Sequence, residues 1–458
     1  WPSDEPEPSM EFEALAMDPV TTARDLLRVL GAWGDAAWSE TALDGRASLE
    51  AWSPEMRAEA TRAKEEFEKE VSRIRHGAEL LMHDEALRSA FSMMNRAMSI
   101  SARGRYTKWR PFQFAFLLAN LRCLVDRADE SEIVDIVWFA TGGGKTETYL
   151  GLLLTAAFLD RMRGKVSGVT AWSRFPLRML SLQQTQRFAN ALAAAELVRR
   201  DMAITGDPFS LGFLVGGSAT PNRIKKESER ANEDADKIEE MESPFKLLDA
   251  CPFCRERSVT TSFDRSLWKL DHRCGNRSCS VAGEALPVYV IDDEIWRFLP
   301  TIVIGTLDKA ANISRQTGMR GLLGAPIGKC SRPGHGYTYA KRNDFPTGCL
   351  VPDCRAALTG LPMASELFPA SFRLQDELHL LRDSLGAVDA HYECAMDGIQ
   401  EELCGHRPKI LASSATLSGY LKQVDVLYRR QARVFPQLPP SDGAGFWAAD
   451  SDRLMRRY

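Results

Sequence analysis

Ile136-Val137-Trp138-Phe139-Ala140-Thr141-Gly142-Gly143-Gly144-Lys145-Thr146 is the stretch on which the reading of this chain turns. Its apolar first half predicts a buried strand, and residues 147–158 follow with the spacing of an amphipathic helix. Between them, Thr141, Gly142, Gly143 and Gly144 let the backbone turn its N–H groups inward, toward the positive end of the helix that follows. Such a turn cradles phosphate oxygens. Lys145 adds a mobile charge suited to the β- and γ-phosphates of ATP, and the Thr146 hydroxyl is placed to ligate Mg²⁺. The competing reading is a glycine-rich turn that merely precedes a lysine; a strand before it and a helix after it argue against that. Phe139 is a departure, because the pattern usually begins there with Gly or Ala.

A second chemical centre lies far downstream, at Phe372-Arg373-Leu374-Gln375-Asp376-Glu377-Leu378-His379. A short strand here would deliver two carboxylates beside the phosphate cradle. Asp376 would hold Mg²⁺ through its water shell, and Glu377 would orient and deprotonate the attacking water. An isolated Asp-Glu is commonly just an acidic helix start, and the phosphate cradle upstream is what favours the catalytic reading. His379 and Gln375 suit a relay of the γ-phosphate state, although His379 equally suits a packed core position. Residues 408–416 read as a further strand ending in hydroxyls, from which Ser414, Ala415 and Thr416 would couple the carboxylates to domain motion.

Three segments suggest ligand contacts of lower specificity. The cluster Trp109-Arg110-Pro111-Phe112-Gln113 suits adenine, with the Gln113 amide reading the base edge, or a helix-capping loop whose aromatics simply pack. Arg174 and Arg178, around a predicted helix start, suit phosphate-backbone contact with DNA; solvated arginines are the plainer alternative. Gly305-Thr306, where a predicted strand meets a helix, offers a backbone N–H and a hydroxyl to a nucleic-acid phosphate.

Cysteine spacing points to metal. Cys251-x₂-Cys254 and Cys274-x₄-Cys279 can meet around one tetrahedral ion, and four thiolates without a redox motif favour structural Zn²⁺. A second set, Cys330, His335, Cys349 and Cys354, sits in a loop-rich stretch that needs such a staple. His272 would be near the first ion or at the surface. Cys123, Cys394 and Cys404 read as core thiols, and His76 with His83 more readily as solvent-facing or packed histidines than as ligands.

With 458 residues the chain can hold several domains, and its net charge of −4 gives no global basic footprint, so any nucleic-acid contact must be local. No apolar run approaches the roughly 18–20 residues that span a bilayer, and the acidic, Pro-rich start is unlike a signal peptide. No membrane partner and a reducing cytoplasm are expected. The fold class expected is α/β, a P-loop domain with a mostly parallel sheet, an N-terminal helical domain and inserted zinc modules. The expected boundaries are 1–105 for the helices; 106–220, 299–320 and 366–428 for the P-loop lobe; 221–298 and 321–365 for the two inserts; and 429–458 for a linker.

A phosphate cradle, an arginine loop, Gly-Thr-x-Asp, Asp-Glu-x-His and Ser-Ala-Thr, in that order over residues 109–416, resemble the first motor lobe of superfamily-2 helicases, which implies a RecA-like fold for the P-loop lobe. The wording Phe-Ala-Thr-Gly-Gly-Gly-Lys-Thr-Glu-Thr-Tyr-Leu-Gly-Leu and Gln-Asp-Glu-Leu-His-Leu-Leu, with a Cys-rich insert between, is similar to the DrmA-type helicases of the DISARM anti-phage system. It is also similar to the related MrfA-type DNA-repair helicases. The resemblance implies ATP hydrolysis coupled to movement along DNA (single-stranded, or duplex with a single-stranded end), with Lys145, Thr146, Asp376 and Glu377 catalytic and Gln113 on adenine. It further implies a partner protein of the same defence system and a second lobe beyond this chain, without which hydrolysis would be slow. A nucleotide-switched scaffold that binds DNA and partners, or an RNA remodeller, is the alternative.

Overall fold

The computed structural model describes residues 6–139, 143–176, 178–215, 224, 245–312, 316–437 and 445–447. Strands β1 (Ile133–Trp138), β2 (Ala171–Phe175) and β3 (Leu211–Leu214) come first, followed by a hairpin, β4 (Val259–Asp264) with β5 (Lys269–Cys274). Then come β6 (Val288–Tyr289), β7 (Ile302–Thr306) and the short β8 (Gly328–Cys330), β9 (Tyr337–Thr338) and β10 (Leu358–Thr359). Last are β11 (Phe372–Gln375), β12 (Lys409–Ser414) and β13 (Gln431–Phe435). Eight of them form one sheet in the order β13-β1-β12-β11-β2-β7-β3-β6, and every pairing in it is parallel. Every residue of β2, β3, β7, β11 and β12 is buried, as expected of parallel strands covered by helices on both faces.

The helices are α1 (Phe12–Met17), α2 (Pro19–Ala37), α3 (Glu40–Leu49), α4 (Pro54–His83), α5 (Glu85–Ala102) and α6 (Pro111–Asn120), then two short ones, α7 (Arg122–Val125) and α8 (Arg127–Ser131). After β1, besides one turn at Arg320–Leu323, come α9 (Lys145–Met162), α10 (Arg178–Asp201), α11 (Asp292–Phe298), α12 (Asp383–Cys404) and α13 (Tyr420–Tyr428). Among the described residues none is long and apolar enough to cross a membrane.

The N-terminal helices do not keep a core of their own. α5 packs on α9 and α10, and α4 on α6, so that Phe12, Leu26, Phe91, Phe114, Leu153 and Ile304 belong to one continuous apolar cluster. This explains why α9 is buried nearly all round rather than on one face: α5, α6 and α10 all pack against it. The closest approach is at Gly77, where an added Cβ would lie 1.9 Å from the backbone oxygen of Leu118. Because a backbone atom cannot swing aside, Gly77→Ala should cost about 1–3 kcal/mol or more, seen as a lower thermal melting point without loss of helical content. An unchanged melting point would mean that α4 and α6 do not meet this closely.

The sheet also departs from expectation at its edges. β13, expected within a linker, pairs with β1, while β6 adds a strand from inside the first insert. What holds β13 is a buried charge cluster. Asp135 of β1, 1% exposed, accepts from Arg433 Nε at 2.6 Å and Nη2 at 2.8 Å and lies 2.7 Å from Lys409 Nζ. Burial alone would raise the Asp135 pKa, but Lys409, Arg433 and Arg73 outweigh it and hold the carboxyl well below its ordinary range. One carboxylate thus ties β1 to both neighbouring strands.

Candidate functional site

In a parallel sheet, ligands gather at the carboxyl ends of the strands, and here β1, β12 and β11 are adjacent. Past β1, Thr141 and Gly142 lie outside the described residues. Gly144 has φ +97°, and an added Cβ would sit 2.5 Å from Gln113 Nε2, so both conformation and space require glycine. Lys145 opens α9 and donates from Nζ to the carbonyl oxygens of Phe139 (2.9 Å) and Ser414 (3.4 Å). Burial lowers its pKa, while Glu377 and Asp376 pull the other way. Phe139, the departure from the usual pattern, stacks on Phe112 with ring centroids 3.9 Å apart, which anchors the loop to α6.

Of the two readings of the Gln113 segment, the geometry is that of the capping loop. Gln113 Oε1 accepts from the backbone N–H of Arg110 at 2.8 Å, and Nε2 donates to the carbonyl of Gly144 at 2.9 Å. Arg110 donates to the carbonyl of Gly143 at 2.8 Å. Both residues therefore brace the glycine turn from behind, and the amide is spent on backbone rather than turned to a base.

Asp376 follows β11 and is gripped at both oxygens. Oδ1 accepts from Ser413 Oγ and from the backbone N–H of Glu377 at 3.0 Å; Oδ2 accepts from the Tyr149 hydroxyl at 3.1 Å. The same hydroxyl stands 3.3 Å from Thr146 Oγ1. Thr146 and Asp376, far apart in sequence, thus face one another through a single side chain. Glu377 adopts φ +50°, and its Oε2 lies 3.3 Å from Nδ1 of His379. Arg187 of α10 donates to Thr146 Oγ1 at 3.2 Å and pairs with Glu147.

Several expected positions need correcting. Ser413 rather than Ser414 reaches the carboxylate. Pairing of Gln375 with Ala412 puts Asp376 level with Ser413, and alternation along the strand turns Ser414 away. Ser414 Oγ donates to the carbonyl of Thr416 at 2.6 Å, and Trp138 Nε1 donates to the carbonyl of Ala415 at 3.3 Å. Arg174 is not a surface phosphate contact: it is 1% exposed, within β2, and bonded to Glu393, to Asp389 at 3.4 Å and to Gln375 Oε1 at 3.2 Å. A guanidinium on a strand covered on both faces must be paired, and α12 supplies the acids. The backbone of Arg178 opens α10, and its side chain lies outside the described residues. At Gly305 a Cβ would lie 2.8 Å from the carbonyl oxygen of Leu214 and 3.0 Å from Trp172 Nε1, so packing explains that glycine. Thr306, at the strand end, is 5% exposed.

Both cysteine sets converge. In each, one ligand atom per residue lies within 4.8 Å of the others. Tetrahedral Zn²⁺ with bonds of about 2.3 Å to sulfur and 2.0–2.1 Å to nitrogen sets S···S near ~3.8 Å and S···N near ~3.5 Å. The observed separations are 3.9 Å for Cys251–Cys279, 3.6 Å for Cys254–Cys274, 3.7 Å for Cys330–Cys354 and 3.5 Å for Cys349 Sγ to His335 Nδ1. All seven thiols are free, so the sets fit a metal and not disulfides. His272 is fully buried, accepting from the N–H of Leu247 at 3.3 Å, and Cys394 is exposed rather than in the core.

A glycine turn leading into Lys145-Thr146 and paired carboxylates, both at the carboxyl edge of an all-parallel sheet, fit the P-loop class of fold in its RecA-like form. The chain is similar to the DISARM protein DrmA of Bacillus paralicheniformis (strain ATCC 9945a / NCIMB 11709 / CD-2), at 33% identity over 415 residues, and the resemblance read from the motifs is upheld. That alignment covers 81% of this chain and 36% of the relative, so the chain spans about a third of the length of the curated protein it matches. No protein-family profile matches. Among solved structures, the DUF1998 helicase MrfA bound to DNA aligns at 11% identity and a TM-score of 0.37, covering 76% of this chain and 28% of that one. The DEAD-box helicase Mss116 bound to ssRNA and UDP-BeF aligns at 13% identity and a TM-score of 0.36, covering 76% and 44%.

Proposed function

We propose that this chain is the nucleotide-binding part of an ATP-driven DNA helicase or translocase in a DISARM-type bacterial defence system, acting in the cytoplasm with a partner protein of that system. The observation that carries the reading is the Tyr149 hydroxyl lying against both Thr146 and Asp376, which supports it because a single nucleotide-bound cation needs a hydroxyl and a carboxylate brought together in this way. Bound ATP with Mg²⁺ would supply the reactive phosphoanhydride and its charge neutralisation. The chain's own groups would do the rest. Backbone N–H groups of Thr141, Gly142, Gly143 and Gly144 bind the phosphates, Lys145 leaves its two carbonyl partners for the β- and γ-oxygens, and Thr146 and Asp376 hold the ion. Glu377 takes the proton from the attacking water, steadied by His379. Ser414, Ala415 and Thr416 lie one strand from Asp376 and would carry the nucleotide state outward. Arg178 remains a proposed DNA contact; Gly305 and Thr306, buried at the carboxyl end of β7, would act only through the backbone that follows them, and Arg174, being buried, acts through Gln375. Zinc at the two cysteine sets is structural.

Phosphate release should be measured without nucleic acid, with single-stranded DNA, with duplex bearing a single-stranded end, and with matched RNA. A motor predicts turnover that rises at least several-fold with DNA. Equal slow turnover under all four conditions would sink the motor in favour of a nucleotide-switched scaffold, and preference for RNA would replace the substrate.

A further inference from the structure

We propose that Tyr149 is a positioning residue that presets the spacing of the Mg²⁺-binding side chains. The inference rests on the reading just given, that Thr146 and Asp376 hold the ion. Tyr149 lies three residues after Thr146 on α9, one turn along the same face, which brings its hydroxyl over the threonine and toward β11. It is 1% exposed, and its ring is fixed against Phe188 with centroids 6.2 Å apart.

A phenol has one proton to give. The carboxylate of Asp376 only accepts, so the proton goes to Oδ2, and the Thr146 hydroxyl is left to donate to the phenol oxygen. Ser413 and the Glu377 N–H hold the other carboxylate oxygen, so three donors leave Asp376 a single orientation. The chain Thr146 to Tyr149 to Asp376 therefore fixes the distance and the facing of two groups that must meet one cation. Arg187 also donates to Thr146 Oγ1, but it is exposed and has Glu147 as a second partner, so it can yield that oxygen. Ring packing alone would be served equally by phenylalanine, and this separates a positioning role from a filling one.

The test is Tyr149→Phe in the full chain, read by the affinity for a fluorescent ADP analogue in EDTA and then across a Mg²⁺ titration. The variant should match the parent protein in EDTA and need roughly ten-fold more Mg²⁺ for half of the Mg²⁺-dependent gain in affinity, as expected on losing a hydrogen bond to a charged group. High Mg²⁺ should restore the parent affinity. An identical Mg²⁺ titration overturns the positioning role while leaving the nucleotide site intact. Equal loss with and without Mg²⁺ overturns it as well, in favour of packing. A parent protein whose affinity gains nothing from Mg²⁺ removes the reading of the site, and this proposal with it.

Discussion

Glu377→Gln should lower ATP turnover by about 10²–10⁴-fold while leaving nucleotide affinity and folding close to those of the parent, because an amide of the same shape cannot accept the proton of the attacking water. The expectation follows from how the residue is held. Its backbone N–H donates to Asp376, a bond that the substitution keeps, and its side chain touches only His379 Nδ1 at 3.3 Å among the contacts described. The left-handed φ of +50° strains Gln and Glu alike. Phosphate release under substrate saturation, paired with nucleotide binding, checks the claim. If turnover falls together with affinity, Glu377 is part of the binding surface rather than the base; if turnover is unchanged, the base lies elsewhere.

Stripping metal should unfold both cysteine modules. Structural Zn²⁺ contributes apparent free energies of about 10–16 kcal/mol in small zinc modules, comparable to the whole stability of a domain at about 5–15 kcal/mol. The first also packs Phe253, Val259, Leu270 and Val281 into the main core, so its loss should be the more local of the two. The second is a patch of Cys330, Cys349, Val351 and Cys354 against Trp268 and Ala356. Arg297 spreads the effect, since its guanidinium, 1% exposed, donates to carbonyls of Leu267 and Trp268 on the β4–β5 turn and of Gly334 and His335 beside the second set. Arg103 likewise binds the carbonyls of Phe253 and Cys254, so the first set is tied to the end of α5. Elemental analysis should find about two Zn²⁺ per chain, one for each tetrahedral set, and chelation should open residues 251–281 and 330–354 to proteolysis. A folded, protease-resistant protein without metal would refute this.

Much of this was legible because it is local. An apolar run that ends in glycines and Lys-Thr favours a strand, a tight turn and a helix in that order, and Cys-x₂-Cys places two sulfurs on one side of a tight turn. The misreadings were of partners, not elements. Arg174 looks solvated in sequence because its acids, Asp389 and Glu393, come from a helix two hundred residues later. β13 looks like a basic linker because Arg433 is read as exposed, whereas Asp135, inside an otherwise apolar strand, is its reason for being there. Tyr149 left a signal at its i+3 spacing from Thr146, but nothing local says that a carboxylate waits on its far side.

Residue type and spacing were therefore enough for the helix that opens at Lys145, the strand that delivers Asp376, the convergence of both cysteine sets and the parallel α/β class, because each is set within a few residues of backbone. Which serine holds Asp376, which face Arg174 takes, and whether Gln113 serves a base or the loop depended on strand register and on packing between distant segments. A one-residue shift in pairing would turn Ser414 in and Ser413 out, and no short stretch of chain contains that choice.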